Sequence, residues 1–124
     1  MASKKVLLVD DSSTARLLTR LIFSQKPNYV LLSAVDGKDA VERAHAEKPD
    51  LILMDVMMPR MTGLEACREL KKDKDTSKIP IILLTTSGEE QFVQEGYESG
   101  CNDCLTKPVK DTELLDLLKT YLGE

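Results

Sequence analysis

Four apolar runs in this chain are too short for helices, and each ends on a residue that can do chemistry. Val6-Leu7-Leu8-Val9 runs into Asp10-Asp11, and Leu51-Ile52-Leu53-Met54 into Asp55. Ile81-Ile82-Leu83-Leu84 runs into Thr85, and Cys104-Leu105-Thr106 into Lys107-Pro108. Continuous apolar runs between helical stretches read as strands buried on both faces of a parallel sheet. In such sheets ligands bind just outside the carboxyl ends of the strands. Parallel neighbours would therefore bring three carboxylates, one hydroxyl and one ammonium to one edge.

The segments between the runs carry helical spacing. Ser12 or Ser13 can cap a first helix, with Ala15, Leu18, Leu21 and Ile22 facing inward and Arg16 and Arg20 turned away. Pro27-Asn28 breaks it. Val30 to Val35 reads as a second strand and Asp36-Gly37 as a turn or cap. Lys38 to Glu47 is a helix with Ala40, Val41 and Ala44 inward, ended by Pro49. After Asp55 come a loop through Met58-Pro59 and Gly63, then a helix from Leu64 to Lys72. The charged stretch from Lys71 to Lys78 reads as a mobile, solvated loop. Gly88 to Ser99 is a polar helix with few apolar anchors (Phe92, Val93, Tyr97), and it ends at Gly100. Asp111 to Leu122 closes the chain, with Leu114, Leu115, Leu118, Tyr121 and Leu122 toward the core. Five strands alternating with five helices imply an α/β sheet covered on both faces, with right-handed crossovers.

Composition narrows the function classes. The 124 residues fit one domain, residues 1–124, with one core. With 17 basic and 21 acidic residues the net charge is -4, which argues against direct nucleic-acid binding. No apolar stretch approaches the ~20 residues that cross a bilayer. The amino terminus has neither an apolar h-region nor a cleavage-site pattern, and three cysteines suit a reducing compartment, so a cytoplasmic location is expected. The start at Met1 and the end just past a helix favour a stand-alone chain.

Asp10, Asp11 and Asp55 close together cannot all stay ionised without a counterion or shifted pKa values. A hard divalent cation is the simplest relief, and Mg2+ suits an all-oxygen site that keeps several waters. Lys107 then offers a compact positive charge to an anion held by the metal, and Thr85 a hydrogen bond. Such a set describes phosphoryl transfer, in which a carboxylate can itself be the nucleophile. A lone Asp at a strand end is usually a cap or a solvated turn, and a lone Lys-Pro a loop. The reading rests on their conjunction at successive strand ends.

With those residues in view, the chain resembles a CheY-like receiver domain of two-component response regulators over essentially its whole length. The acidic pair in VLLVDDS, the segment LILMDVMMPRMTG, the threonine in IPIILLTT and the LTKP tail carry the likeness. Asp55 lies 44 positions after Asp11, Thr85 lies 30 after Asp55, and Lys107 lies 22 after Thr85. The resemblance implies a flavodoxin-like (βα)5 doubly wound five-stranded parallel sheet of order 2-1-3-4-5. It implies Asp55 as phosphoacceptor, and Asp11, Asp10, Asp55 and the backbone carbonyl of Met57 around Mg2+. It implies Thr85 and Lys107 as binders of the phosphoryl group and a cis Lys107-Pro108 bond, cheap for X-Pro. The partners it implies are a sensor histidine kinase or histidine phosphotransfer protein and an unknown downstream protein. The output face would be the fourth helix, fifth strand and last helix. Gly96 weakens the fourth helix, which suits an adjustable surface and equally a helix that is simply solvent-exposed.

Two positions depart from the pattern. Cys104 stands where the family usually has an aromatic ring, so Thr85 is expected to reach the output face by another route or more weakly. Thr86 stands where a small residue is usual, so exchange at the phosphoryl group is expected to be slow. Met57 and Ser87 supply no acid or base for hydrolysis. Cys101-Asn102-Asp103-Cys104 is a C-x-x-C, but it precedes a strand rather than opening a helix, which argues against redox enzymology. Cys67 and His45 sit on separate helices, which argues against zinc; Cys67 reads as core and His45 as solvated near a helix end.

Beyond self-phosphotransfer and autodephosphorylation no enzyme activity is expected. A Mg2+-dependent aspartyl phosphohydrolase is the enzymatic alternative, but Met57 stands where its general acid belongs. A receiver-like module that binds a partner without phosphorylation is the third reading, and the full set of site residues speaks against it.

Overall fold

All four pairings between neighbouring strands are parallel, and the strands lie in the order β2-β1-β3-β4-β5. The computed structural model describes residues 3–26, 28–58, 60–86 and 89–123. In chain order the elements are β1 (Lys4–Val9), α1 (Ser13–Phe23), β2 (Tyr29–Ala34), α2 (Gly37–Glu47), β3 (Leu51–Asp55), α3 (Gly63–Lys72), β4 (Ile81–Thr85), α4 (Gln91–Glu98), β5 (Asp103–Thr106) and α5 (Asp111–Leu122). The expected architecture and strand order are both present. The expected break at Pro27, the loop residue Pro59 and the expected helix start at Gly88 fall outside the described residues.

Alternate residues of each central strand serve opposite faces. Leu7, Val9, Ile52, Met54, Ile81 and Leu83 join Ala40, Ala44, Leu64, Cys67 and Leu70 beneath α2 and α3. Val6, Leu8, Leu51, Leu53, Ile82, Leu84 and Leu105 join Phe23, Leu114 and Leu118 beneath α1 and α5. Strands β3 and β4 are buried along their whole length, which is why they read as unbroken apolar runs.

Several local expectations need correction. Leu18 and Leu21 are 55% and 57% exposed, whereas Thr19 and Phe23 are buried, so α1 is rotated from the expected face. Apolar residues at 17, 18, 21, 22 and 23 surround this helix, and spacing alone cannot choose among them. Arg16 and Arg20 are engaged rather than free: Arg16 donates to the Asp10 carbonyl at 2.6 Å and Arg20 to Ser33 Oγ at 2.6 Å. The stretch after α3 is tied down. Lys71 Nζ donates to the carbonyls of Ser77 (3.2 Å) and Ile79 (2.8 Å) and to Asn102 Oδ1 (2.9 Å). Thr76, fully buried, donates to the Leu70 carbonyl at 2.7 Å. α4 begins at Gln91, has no side-chain cap, and leaves Tyr97 exposed instead of anchoring through it. No helix among the described residues is long and apolar enough to cross a membrane.

Candidate active site

At the carboxyl edge of the sheet each chemical residue stands where its strand stops. Val9 pairs with Met54, so Asp10 and Asp55 come level. Asp55 pairs with Leu84 and Thr85 with Thr106, so Thr85 and Lys107 step outward by one residue each. The Lys107 backbone N–H donates to the Thr85 carbonyl at 2.6 Å, and the Lys107-Pro108 bond is cis as expected.

Asp10 and Asp55 are 1% and 6% exposed, yet both carry carboxyl groups. Isolated charges that deep are costly, so they need partners. Lys107 Nζ supplies one to both, 2.7 Å from Asp10 Oδ2 and 2.9 Å from Asp55 Oδ2. The Ser12 N–H satisfies Asp10 Oδ1 at 2.9 Å, and Ser12 also caps α1. Asp11 is exposed at the rim. One carboxylate oxygen from each of Asp10, Asp11 and Asp55 lies within 4.8 Å of the others. Three carboxylates against one ammonium leave the cup negative. An all-oxygen donor set with an exposed rim fits a hard divalent cation such as Mg2+.

The ion pair acts unequally on its partners. Burial pushes the Asp55 carboxyl above the usual carboxylate range; Lys107 pulls it back, and the charges of Asp10 and Glu89 push it up again. Burial pulls the Lys107 ammonium down, but its hydrogen bonds and attraction to Asp10 and Asp55 outweigh that and leave it raised. The environment therefore favours the charged form of the lysine and disfavours the anion of Asp55.

The structure thus gathers Asp10, Asp11, Asp55 and Lys107 and sets Thr85, 4% exposed, on the same edge. Met57 lies in the loop just after β3 with its side chain half exposed. Thr86 is exposed, its N–H donating to Glu89 Oε1 at 2.8 Å. Ser87 lies outside the described residues. His45 sits elsewhere, 3.5 Å from Asp73 Oδ2, and Cys67 is buried, as a core residue should be.

Two supports escaped the sequence reading. Asp36 caps α2 through the Asp39 N–H at 2.8 Å and also accepts from Arg60 Nε at 2.7 Å and from the Arg60 terminal nitrogen. The Gly37 N–H donates to the Met61 carbonyl at 3.2 Å, and a Cβ on Gly37 would lie 2.4 Å from that oxygen. The loop after Asp55 is thereby fixed to the start of α2. Asp36-Gly37 was visible as a cap; nothing in the sequence paired it with Arg60. The second support is Gly63, which lets α3 start against the backbone of Asp55.

Comparison with known proteins agrees with this geometry. The profile of the response regulator receiver domain matches residues 6–119. The chain is 41% identical to Protein PilH of Pseudomonas aeruginosa over 120 residues, covering 96% of this chain and 98% of that one. It is 37% identical to the alkaline phosphatase synthesis transcriptional regulatory protein PhoP of Bacillus subtilis, covering 97% of this chain but 49% of that protein. Among solved structures, the receiver domain of sensor histidine kinase PA1611 from Pseudomonas aeruginosa, with a magnesium ion in its active site cleft, superposes with TM-score 0.89 at 30% identity. That match covers 99% of this chain and 100% of the other. Chemotaxis response regulator CheY4 of Vibrio cholerae superposes with TM-score 0.86 at 33% identity, covering 97% and 99%.

Proposed function

The chain belongs to the response regulator receiver domain family of two-component systems, and from that premise we propose that it is switched by phosphorylation of Asp55. Residues 1–124 form one such receiver, acting in the cytoplasm. The observation that carries the reading is the single ammonium of Lys107 shared by two buried carboxylates at 2.7 and 2.9 Å. A phosphoryl group arriving on Asp55 brings new anionic oxygens to an ammonium already in place.

Asp10, Asp11 and Asp55, with the Met57 carbonyl, would hold Mg2+, which supplies charge neutralisation to the transferring phosphoryl group. The chain's own residues do the rest. An Asp55 carboxylate oxygen forms the bond to phosphorus as the bond to the donor's histidine nitrogen breaks. Lys107 turns from Asp55 toward the phosphoryl oxygens, holding charge it already carries. Thr85 donates its hydroxyl to one of those oxygens and so registers their arrival. The donor is a sensor histidine kinase or a histidine phosphotransfer protein, and the consequence is a changed α4–β5–α5 face for a downstream protein. With Cys104 partly buried beneath α4 in place of a ring, Thr85 couples to that face by another route or more weakly.

Incubation with Mg2+ and a small acyl or amide phosphodonor, followed by intact mass, tests the assignment. One phosphoryl adduct per chain is expected, absent in Asp55→Asn. Repeated turnover of the donor would favour a phosphohydrolase, and inertness a binding module that needs no phosphate.

A further inference from the structure

Three thiols gather where α3, α4 and the start of β5 meet. Cys67 and Cys101 are buried and Cys104 is partly exposed. The sulfurs of Cys101 and Cys104 lie 3.9 Å apart and share a thiol hydrogen bond. Both face the same bare backbone carbon of α4: a Cβ on Gly96 would stand 3.5 Å from Cys101 Sγ and 3.7 Å from Cys104 Sγ. The residue beside Cys101 is held from several directions. The Asn102 N–H donates to the Ile81 carbonyl at 2.8 Å, and its side-chain oxygen accepts from the Ile81 N–H and from Lys71 Nζ, each at 2.9 Å. Tyr121 OH donates to the Asn102 carbonyl at 3.0 Å. The backbone between the two cysteines is pinned, and the sulfurs are left pointing at each other. A C-x-x-C set aside because it opens no helix is thus paired in space by the turn into β5.

We infer that Cys101 and Cys104 are a redox modification site, closing to a reversible disulfide within one chain when the protein meets a hydroperoxide. Closing requires the sulfurs to approach from 3.9 Å to about 2 Å. In the first step the Cys104 thiolate attacks a peroxide oxygen and the O–O bond breaks. Cys104 becomes a sulfenic acid and hydroxide leaves. In the second step the Cys101 sulfur attacks the Cys104 sulfur and the S–O bond breaks. The Cys101 thiol proton leaves with the departing hydroxide as water. Two electrons pass from the thiol pair to the peroxide; the hydroxide of the first step takes up the proton that Cys104 lost on ionising, so hydrogen peroxide ends as two waters.

The environments divide the roles. Cys104 is the more exposed, and its hydrogen bond with Cys101 holds its thiol below the usual range despite burial. The hydrogen bond to Cys104, reinforced by burial, pushes the Cys101 thiol far up, as suits the resolving partner. Burial also pushes Cys67 up, and its thiol is engaged with the Ser99 carbonyl at 3.6 Å. Because Gly96 rests over both sulfurs, closing the bond alters the seat of α4.

The test treats the reduced full-length chain with stoichiometric hydrogen peroxide at neutral pH. Free thiols are then alkylated under denaturing conditions, and masses are read for the intact chain and its peptides. In the wild type and in Cys67→Ser, two alkylation sites should vanish together, map to Cys101 and Cys104, and return with dithiothreitol. Cys101→Ser should stop at a sulfenic acid on Cys104 that dimedone captures, and Cys104→Ser should keep its thiols at the same dose. Three alkylatable thiols surviving in the wild type, a bond to Cys67, or a bond between two chains would each overturn the assignment.

Discussion

Gly63 has no room for a side chain: a Cβ there would lie 2.1 Å from the backbone carbonyl oxygen of Asp55. The first residue of α3 is therefore seated on the last residue of β3, and the position of the central carboxylate depends on a missing methyl group.

Gly63→Ala forces that carbonyl or the start of α3 to move. Overpacking of this kind costs about 1–3 kcal/mol. The urea midpoint should fall accordingly, and phosphoryl adduct formation at Asp55 should slow more than in an alanine substitution at exposed Arg68. An unchanged midpoint would show that the helix start yields freely.

Lys107→Met removes the ammonium that the carboxylates of Asp10 and Asp55 share. Breaking a buried pair from one side costs roughly 3–5 kcal/mol, because the carboxylates left behind are uncompensated. Two outcomes are expected together: lower stability without divalent cations, and tighter Mg2+ binding because nothing competes for the carboxylates. Titration calorimetry with Mg2+ and urea melts with and without it check both. Weaker Mg2+ binding in the variant would contradict the arrangement.

Asp36 carries a pH dependence. The Asp39 N–H and the Arg60 guanidinium outweigh burial and hold its carboxyl below the usual range. The folded form prefers the anion, so this stabilisation is present above the ordinary carboxylate range. It is lost as pH falls through the lowered folded value. Asp36→Asn keeps a helix cap but loses the charge, so at neutral pH it should cost about 1 kcal/mol, discounted for the exposure of Arg60. The gap between the two urea midpoints should close as acid is added; a gap independent of pH would place the loss elsewhere.

Thr86→Ala opens the approach to the phosphoryl group beyond β4. Thr86 is exposed next to buried Thr85, with its backbone tied to Glu89. Loss of the phosphoryl adduct, followed by mass after removing the donor, should be severalfold faster in the variant. Equal half-lives would show that the side chain does not stand in the path of water.

What the sequence made legible is what strand ends make legible. Asp10, Asp55, Thr85 and Lys107 each follow an apolar run, so their convergence follows once the runs are parallel. The order of the strands is not local and came with the family resemblance. The face of α1 was misread because its apolar residues ring the helix, and the buried position fell to Thr19, whose methyl serves as well as a small hydrocarbon. Lys71 to Lys78 looked solvated because charge counts see the ammonium but not the three oxygens that Lys71 reaches. Arg60 and Asp36, like Cys101 and the carbon of Gly96 above it, meet through the fold, and no pattern along the chain announces such pairs.

The bare carbon of Gly96 lets α4 lie close against β4 and the turn into β5. An eight-residue helix without a side-chain cap bears on Leu83 and the two sulfurs at that point, with Tyr97 beside it open to solvent. Any atom added to that carbon would meet Leu83 first, at 2.9 Å, so the smallest residue available sets how closely this helix approaches the sheet.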